Sequence, residues 1–440
     1  MFEANLKIIQ ELKAFISIVI ERPEILDKFR NDPTAFTRDR KLPFERLVVL
    51  IAKLCKKTLS VELESFFEEM NLSTTCSVSA FAQQRMKLNP SFYFVWNQLL
   101  CASYYHYYGS QVKRWKGYRI IAADGSNLSL VNTPGLNKYF GGQSNQTGGF
   151  VQAKAFYCYD VLNELVIHAE LAPYRVGELN MVYPIIDNFQ EDMLVIYDRN
   201  FSSYKMVALH QWQEKEIKFI IRAKDSLKHI KLFLKSNLKS DIIYLSPTKA
   251  AKIGLQKNGY KIDENCLLKV RLVRVELENS VEVLMTNLWE EDGHDNKEFK
   301  ELYFKRWCIE TNISLQKNVL KLESFSGLTP LSVEQDFYAT AFITNLYSLI
   351  VKQAQTQVDK THIKRKYPAK INGNRSFGKF RSNLVNLFYS KKPKKILQQL
   401  HEYFIRDPLP IRKNRTFKRI VKNKQQKNKH KTFMNYKPSF

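Results

Sequence analysis

Two short apolar runs in the middle of the chain each end in a carboxylate, and they set much of what it can fold into. They are Arg119-Ile120-Ile121-Ala122-Ala123-Asp124 and Met193-Leu194-Val195-Ile196-Tyr197-Asp198. A short apolar run closed by an acid predicts a buried strand. Between the two, Phe150 to Tyr159 and Glu164 to Leu171 predict a pair of strands, joined by the turn Asp160-Val161-Leu162-Asn163-Glu164. A helix from about Glu178 to Asn188 leads into the second run. Strand, hairpin, helix, strand, helix is the order of a mixed α/β sheet. The loop after Asp124 holds five of the fifteen glycines (135, 141, 142, 148 and 149).

The flanks read differently. Residues 1–113 are expected to be helical, from the spacing of Leu6, Ile9, Leu12, Ile16 and Ile20 onward. The segment Ser77 to Lys87 has a Ser start and a Gln/Arg/Lys face, with Arg85 and Lys87 as candidate DNA contacts. Two short helices there suit either a helix-turn-helix or an ordinary bundle. The aromatic run Phe92, Tyr93, Phe94, Trp96, Tyr104, Tyr105, Tyr107 and Tyr108 fits a bundle core better than a base-stacking platform. Residues 224–296 break the α/β rhythm: Lys269 to Val275 alternates with period two and pairs with Glu282 to Asn287, which predicts a β-rich insertion. The expected segments are therefore 1–113, helical; 114–223 and 297–356, α/β; 224–296, inserted; and 357–440, basic. Within the last, residues 409–440 contain no acid and predict a flexible tail.

Charge sharpens this division. Residues 351–440 carry 25 Lys plus Arg against 3 acids, whereas the whole 440-residue chain carries 69 against 43. The body is near neutral and the last quarter strongly basic, which points to phosphate binding on a nucleic acid ahead of a membrane surface or a merely solubilising tail. Six cysteines at 55, 76, 101, 158, 266 and 308 form no C-x-x-C, so neither a disulfide framework nor a structural zinc site is expected. Nucleotide-binding glycine motifs, G-x-S-x-G and H-E-x-x-H are absent. No apolar run reaches the roughly 18–20 residues of a membrane helix. A reduced, cytoplasmic, nucleoid-associated protein is the expectation.

Chemistry can come from the acids. An Asp closing a strand is ordinarily a turn or cap residue. Two such strands side by side would bring Asp124 and Asp198 together, and like carboxylates in proximity call for a cation. Oxygen ligands without a His/Cys set suit Mg²⁺ or Mn²⁺. A helix expected over 296–322 places Tyr303, Arg306, Glu310, Lys317 and Lys321 within an arc of about 60°. Leu302, Ile309, Ile313 and Leu320 fall on an adjoining face and would anchor it to the core. Alone, such a stripe is also what a solvated, salt-bridged helix face looks like.

Tyr303-Phe304-Lys305-Arg306-Trp307-Cys308-Ile309-Glu310 through Lys317 resembles the Y-x2-R-x3-E-x6-K signature of DDE transposases of the family named after insertion sequence four. Asp124-Gly125-Ser126 and Asp198-Arg199-Asn200-Phe201 resemble that family's first and second motifs. Asn200 is a departure, since many members carry Gly or Ala there. The resemblance spans roughly residues 37–350 and implies a ribonuclease H-like catalytic domain with a β-rich insertion. It also implies cut-and-paste transposition, with two metal ions held by Asp124, Asp198 and Glu310. Tyr303, Arg306 and Lys317 would hold the phosphates of terminal inverted repeats, and Trp289 is the candidate for stacking a flipped base. Target DNA and a second copy in a homodimeric synaptic complex are the further partners implied. Two rivals stay open: a transposon-derived DNA-binding protein without catalysis, and another metal-dependent nuclease on the same fold.

Overall fold

The computed structural model describes residues 1–38, 40–145, 148–363 and 366–412. The first apolar run is strand β1 (Arg119–Ser129), and β2 is Gly142–Asn145. The hairpin is β3 (Gly148–Asp160) and β4 (Leu165–Pro173), and the second run is β5 (Met193–Tyr197). β1 outlasts its apolar run because it continues past Asp124 in register with β3 as far as Ser129. β6 (Lys218–Arg222) follows, parallel to β5 as β5 is to β1. The order β4-β3-β1-β5-β6, with β3 antiparallel to its neighbours, is that of a ribonuclease H-like mixed sheet.

Side-chain alternation gives this sheet two faces. Ile121, Ala123, Val195, Tyr197 and Ile221 pack with Met181, Val182, Met206 and Val207. Ile120, Ala122, Leu194, Ile196 and Ile220 pack with Leu302, Ile309 and Ile313 on the other side. Leu302, Ile309 and Ile313 thus anchor the signature segment as their spacing predicts, whereas Leu320 packs in the helical core instead.

Residues 224–296 add the expected strands to the core, with helices among them. They hold helices Lys228–Lys235 and Lys249–Gln256 as well as strands β7 (Ser240–Leu245), β8 (Leu268–Glu276) and β9 (Val281–Thr286). They are also continuous with the core, because β9 pairs with β6 and makes one nine-stranded sheet. Open main-chain groups along the β6 edge account for this, since strand pairing satisfies them.

Helices from both ends of the chain share a second core. Phe2–Glu21, Phe44–Ala52, Ser91–Tyr108, Gly373–Tyr389 and Pro393–Arg406 close around the long helix Pro330–Thr361. Residues 1–113 and 357–412 therefore do not pack as separate units. Trp96 of the aromatic run stacks on Phe342 at 3.9 Å and gives its indole N–H to the Leu12 carbonyl at 3.1 Å, so that run is core. Leu409–Pro410 pairs with Ala369–Lys370, which corrects the expected start of the tail. The remainder of that expectation, 413–440, lies outside the described residues. Among the described residues no helix is long and apolar enough to cross a membrane.

Candidate active site

The parallel register between β1 and β5 ends at Ala123 opposite Tyr197. The next residue on each strand is an aspartate, so Asp124 and Asp198 stand side by side at the same end of the sheet. Alternation turns both toward the face that packs the signature segment. Asp124 Oδ1 accepts the Gly125 N–H at 2.8 Å, while Oδ2 lies 3.3 Å from Arg306 Nη1. Asp198 Oδ1 accepts the Asn200 N–H at 2.8 Å and opens the 3-10 turn Arg199–Phe201. Asn200 is not in the left-handed region, so its backbone there does not call for Gly.

The predicted helix over 296–322 is not continuous. It is built as Glu298–Phe304, Trp307–Ser314 and a π-helical segment Leu315–Val319, and Lys321 has a positive φ. Lys321 thus falls off the stripe. Glu310 Oε1 accepts from Arg306 Nη2 at 2.7 Å, so one guanidinium touches both Asp124 and Glu310. Lys317 Nζ donates to the Asn127 carbonyl at 2.6 Å and faces Glu323 at 3.8 Å, which holds it over the end of β1. Tyr303 is buried beneath this cluster, and burial pushes its phenol up to about 12, so its O–H keeps its proton.

Burial likewise pushes the Asp124 carboxyl up to about 6. Asp198 and Glu178 add to the rise, while the Gly125 N–H and Arg306 oppose it. Glu178 is an acid that sequence spacing did not single out. Its carboxylate lies 3.5 Å from Lys154 Nζ, and its side chain lies directly against Gly125. A Cβ on residue 125 would stand 2.4 Å from Glu178 Oε1 and 2.6 Å from its Cγ and Cδ. The glycine of Asp124-Gly125-Ser126 was the available signal, since a strand glycine marks a close approach. Gly125→Ala is expected to destabilise the fold in urea denaturation only at the low end of the ~1–3 kcal/mol of overpacking, because what it meets is the end of a flexible side chain. Adding Glu178→Ala should recover most of that loss. A double variant no better than Gly125→Ala alone would sink this account of the glycine.

Of the other three expected DNA contacts, Trp289 lies at the far end of the sheet, and Arg85 and Lys87 are engaged by internal partners. β9 runs antiparallel to β6, with Leu284 opposite Arg222 and Thr286 opposite Ile220. The chain therefore leaves β9 toward the end of the sheet away from the carboxylates. Trp289 lies there, half-buried beneath Lys269 Nζ at 4.5 Å from its ring. The tryptophan at the site is Trp307, 51% exposed, with the Arg306 guanidinium 5.2 Å from its ring centroid. Arg85 is 3% exposed and donates to Gln335, Ser326, Ser332 and Asp336, so it is spent on internal partners. Lys87 is half-buried, with its amine 3.2 Å from the Gln84 amide oxygen.

An all-carboxylate oxygen set suits Mg²⁺ or Mn²⁺ better than zinc or copper. Among the described residues, no three His, Cys, Asp or Glu side chains converge closely enough to hold one ion as they stand. The charge that balances Asp124 and Glu310 is that of Arg306. The donor chemistry fits a hard divalent ion, and the arrangement is one in which an internal cation balances the acids.

No curated protein matches this chain. Among solved structures, a cryo-EM structure of a piggyBac transposase synaptic complex with hairpin DNA aligns at 11% identity and a TM-score of 0.38, covering 100% of this chain and 90% of that one. The family model described as the transposase DDE domain matches residues 115–346, from just ahead of β1 to the middle of the Pro330–Thr361 helix. That is more than half of the chain and includes all three acids of the site, and the chain belongs to the transposase DDE domain family.

Proposed function

We propose that this chain is a metal-dependent transposase that cuts an insertion sequence from DNA at its terminal inverted repeats and joins it to a target. The observation that carries the reading is the β1–β5 register, which sets Asp124 beside Asp198, with Arg306 joining Asp124 to Glu310. Asp124, Asp198 and Glu310 are the residues that would hold Mg²⁺ or Mn²⁺, which when bound supplies Lewis-acid activation for attack on a phosphodiester. Arg306 and Lys317 would orient the scissile phosphate through charge-assisted hydrogen bonds, and the half-exposed Trp307 ring offers a stacking surface for a base. The signature Tyr303-x2-Arg306-x3-Glu310-x6-Lys317 supports the insertion-sequence-four branch, with two copies in the synaptic complex. The test is cleavage of a duplex carrying the flanking inverted repeats, with Mg²⁺ and then EDTA. Excised ends joined to a target support a transposase, and nicking without joining would leave only a nuclease.

The basic tail contributes a separable term. Residues 413–440 carry ten Lys plus Arg and no acid. Their removal should make the log-affinity against log-salt slope shallower by ~0.9 per lost duplex contact, equally on specific and random DNA. A salt titration of full-length and truncated protein measures this. An unchanged slope would relegate the tail to solubility.

A further inference from the structure

Arg306 is positioned as a competitor for the ion that its neighbours would bind. Its Nη1 lies 3.3 Å from Asp124 Oδ2 and its Nη2 lies 2.7 Å from Glu310 Oε1. Asp124 sits on β1 and Glu310 on helix Trp307–Ser314, so this guanidinium ties together the two elements that a shared ion would also bridge. A guanidinium and a divalent cation are both positive and would draw on the same carboxylates, so each disfavours the other.

The seat of Arg306 is also incomplete. Its side chain is 10% exposed, yet Nε is buried with no hydrogen-bond partner. The contact to Asp124 is long for a charge-assisted hydrogen bond. Beside it the exposed Trp307 ring offers a surface over which the guanidinium can stay while turning outward. A DNA phosphate, with the fork geometry that guanidinium matches, is the partner able to draw it there.

We infer that Arg306 occupies the cation position of this site until DNA phosphate draws it away, so that metal binding and DNA binding are coupled through one side chain. The inference rests on the metal-dependent reading above. It makes the free protein a poor metal binder and the DNA-bound protein a good one. By linkage the coupling is reciprocal: DNA strengthens metal binding by the same factor as metal strengthens DNA binding. Cleavage competence would then be withheld until the substrate is in place.

Isothermal titration of the DNA-free full chain with Mn²⁺ tests this without relying on activity. Arg306→Gln is expected to bind Mn²⁺ about tenfold more tightly than wild type, within the usual range of such couplings. Arg306→Lys, which keeps a cation at the position, should fall between them. Adding Asp124→Asn to Arg306→Gln should abolish the gain. A random-sequence duplex should tighten Mn²⁺ binding to wild type and have little effect on Arg306→Gln. A damaged fold would weaken Mn²⁺ binding instead, so the sign separates a gate from a structural role. Arg306→Gln binding Mn²⁺ no more tightly than wild type overturns the gate. If Asp124→Asn leaves Mn²⁺ binding to Arg306→Gln intact, the metal-site reading fails instead.

Discussion

Asp124→Asn, Asp198→Asn and Glu310→Gln are each expected to abolish strand cleavage while leaving metal-free affinity for the DNA ends no weaker than wild type. Each substitution keeps the shape of the side chain and removes the anionic oxygen that would ligate the ion. The loss should far exceed the roughly 10–100-fold that a merely supporting residue costs. Asp124 carries a second expectation. Burial holds its carboxyl at about 6, with Asp198 and Glu178 pushing the same way. In the unfolded chain it would titrate near roughly 3.9, so at neutral pH its ionised form opposes folding. The neutral amide removes that opposition, and DNA-free Asp124→Asn should therefore melt no lower than wild type. Thermal unfolding beside a cleavage assay measures both halves. Wild-type cleavage by any of the three variants would remove that residue from the site, and a sharp drop in melting temperature for Asp124→Asn would make its role structural.

What the sequence made legible follows from local rules. β1 and β5 are short apolar runs, and the aspartates that end the run in each could be placed because strand pairing acts between neighbours of one sheet. The buried face of Leu302, Ile309 and Ile313 was legible for the same reason, since helical spacing holds within each short helix even where the helix breaks. The breaks themselves were not legible, because no Pro or Gly stands between Tyr303 and Lys321 to announce them. For Trp289 the limit is direction: alternation identifies the strand before it, but only the antiparallel pairing with β6 decides which end of the sheet the following residues reach. Glu178 was missed because its relation to Asp124 passes through a glycine contact made by a different element. Long-range pairing is where single-sequence reasoning stopped, and Arg85 shows this most plainly. Its partner Asp336 lies 251 residues away, and nothing in the Gln83-Gln84-Arg85 run distinguishes a charged surface from a buried ion pair.

Arg85→Ala is accordingly expected to act on stability and not on DNA. The guanidinium gives Nε–H to Gln335 Oε1 at 2.9 Å, Nη1–H to Ser326 Oγ at 2.8 Å and Nη2–H to Asp336 Oδ1 at 3.1 Å. Both members of the Arg85–Asp336 pair are buried, with side chains 4% and 6% exposed. The pair ties helix Val78–Arg85 to helix Pro330–Thr361, and so joins the N-terminal helices to the element that spans both cores. Removing one partner leaves the other charge buried and uncompensated, which costs about 3–5 kcal/mol. Arg85→Met with Asp336→Leu should recover much of that loss, because an apolar pair leaves no orphan charge. Acid should act in the same direction. Burial alone would raise the Asp336 carboxyl, but Arg85, Lys56 and Ser326 together hold it below its ordinary value. The contribution is therefore complete above roughly pH 4, the unfolded value, and is lost as pH falls through the lower folded value. Urea denaturation of the single and double variants at neutral and acid pH measures these terms. If Arg85 instead contacted a phosphate, Arg85→Ala would leave unfolding unchanged and make the salt slope of DNA binding shallower by about one contact.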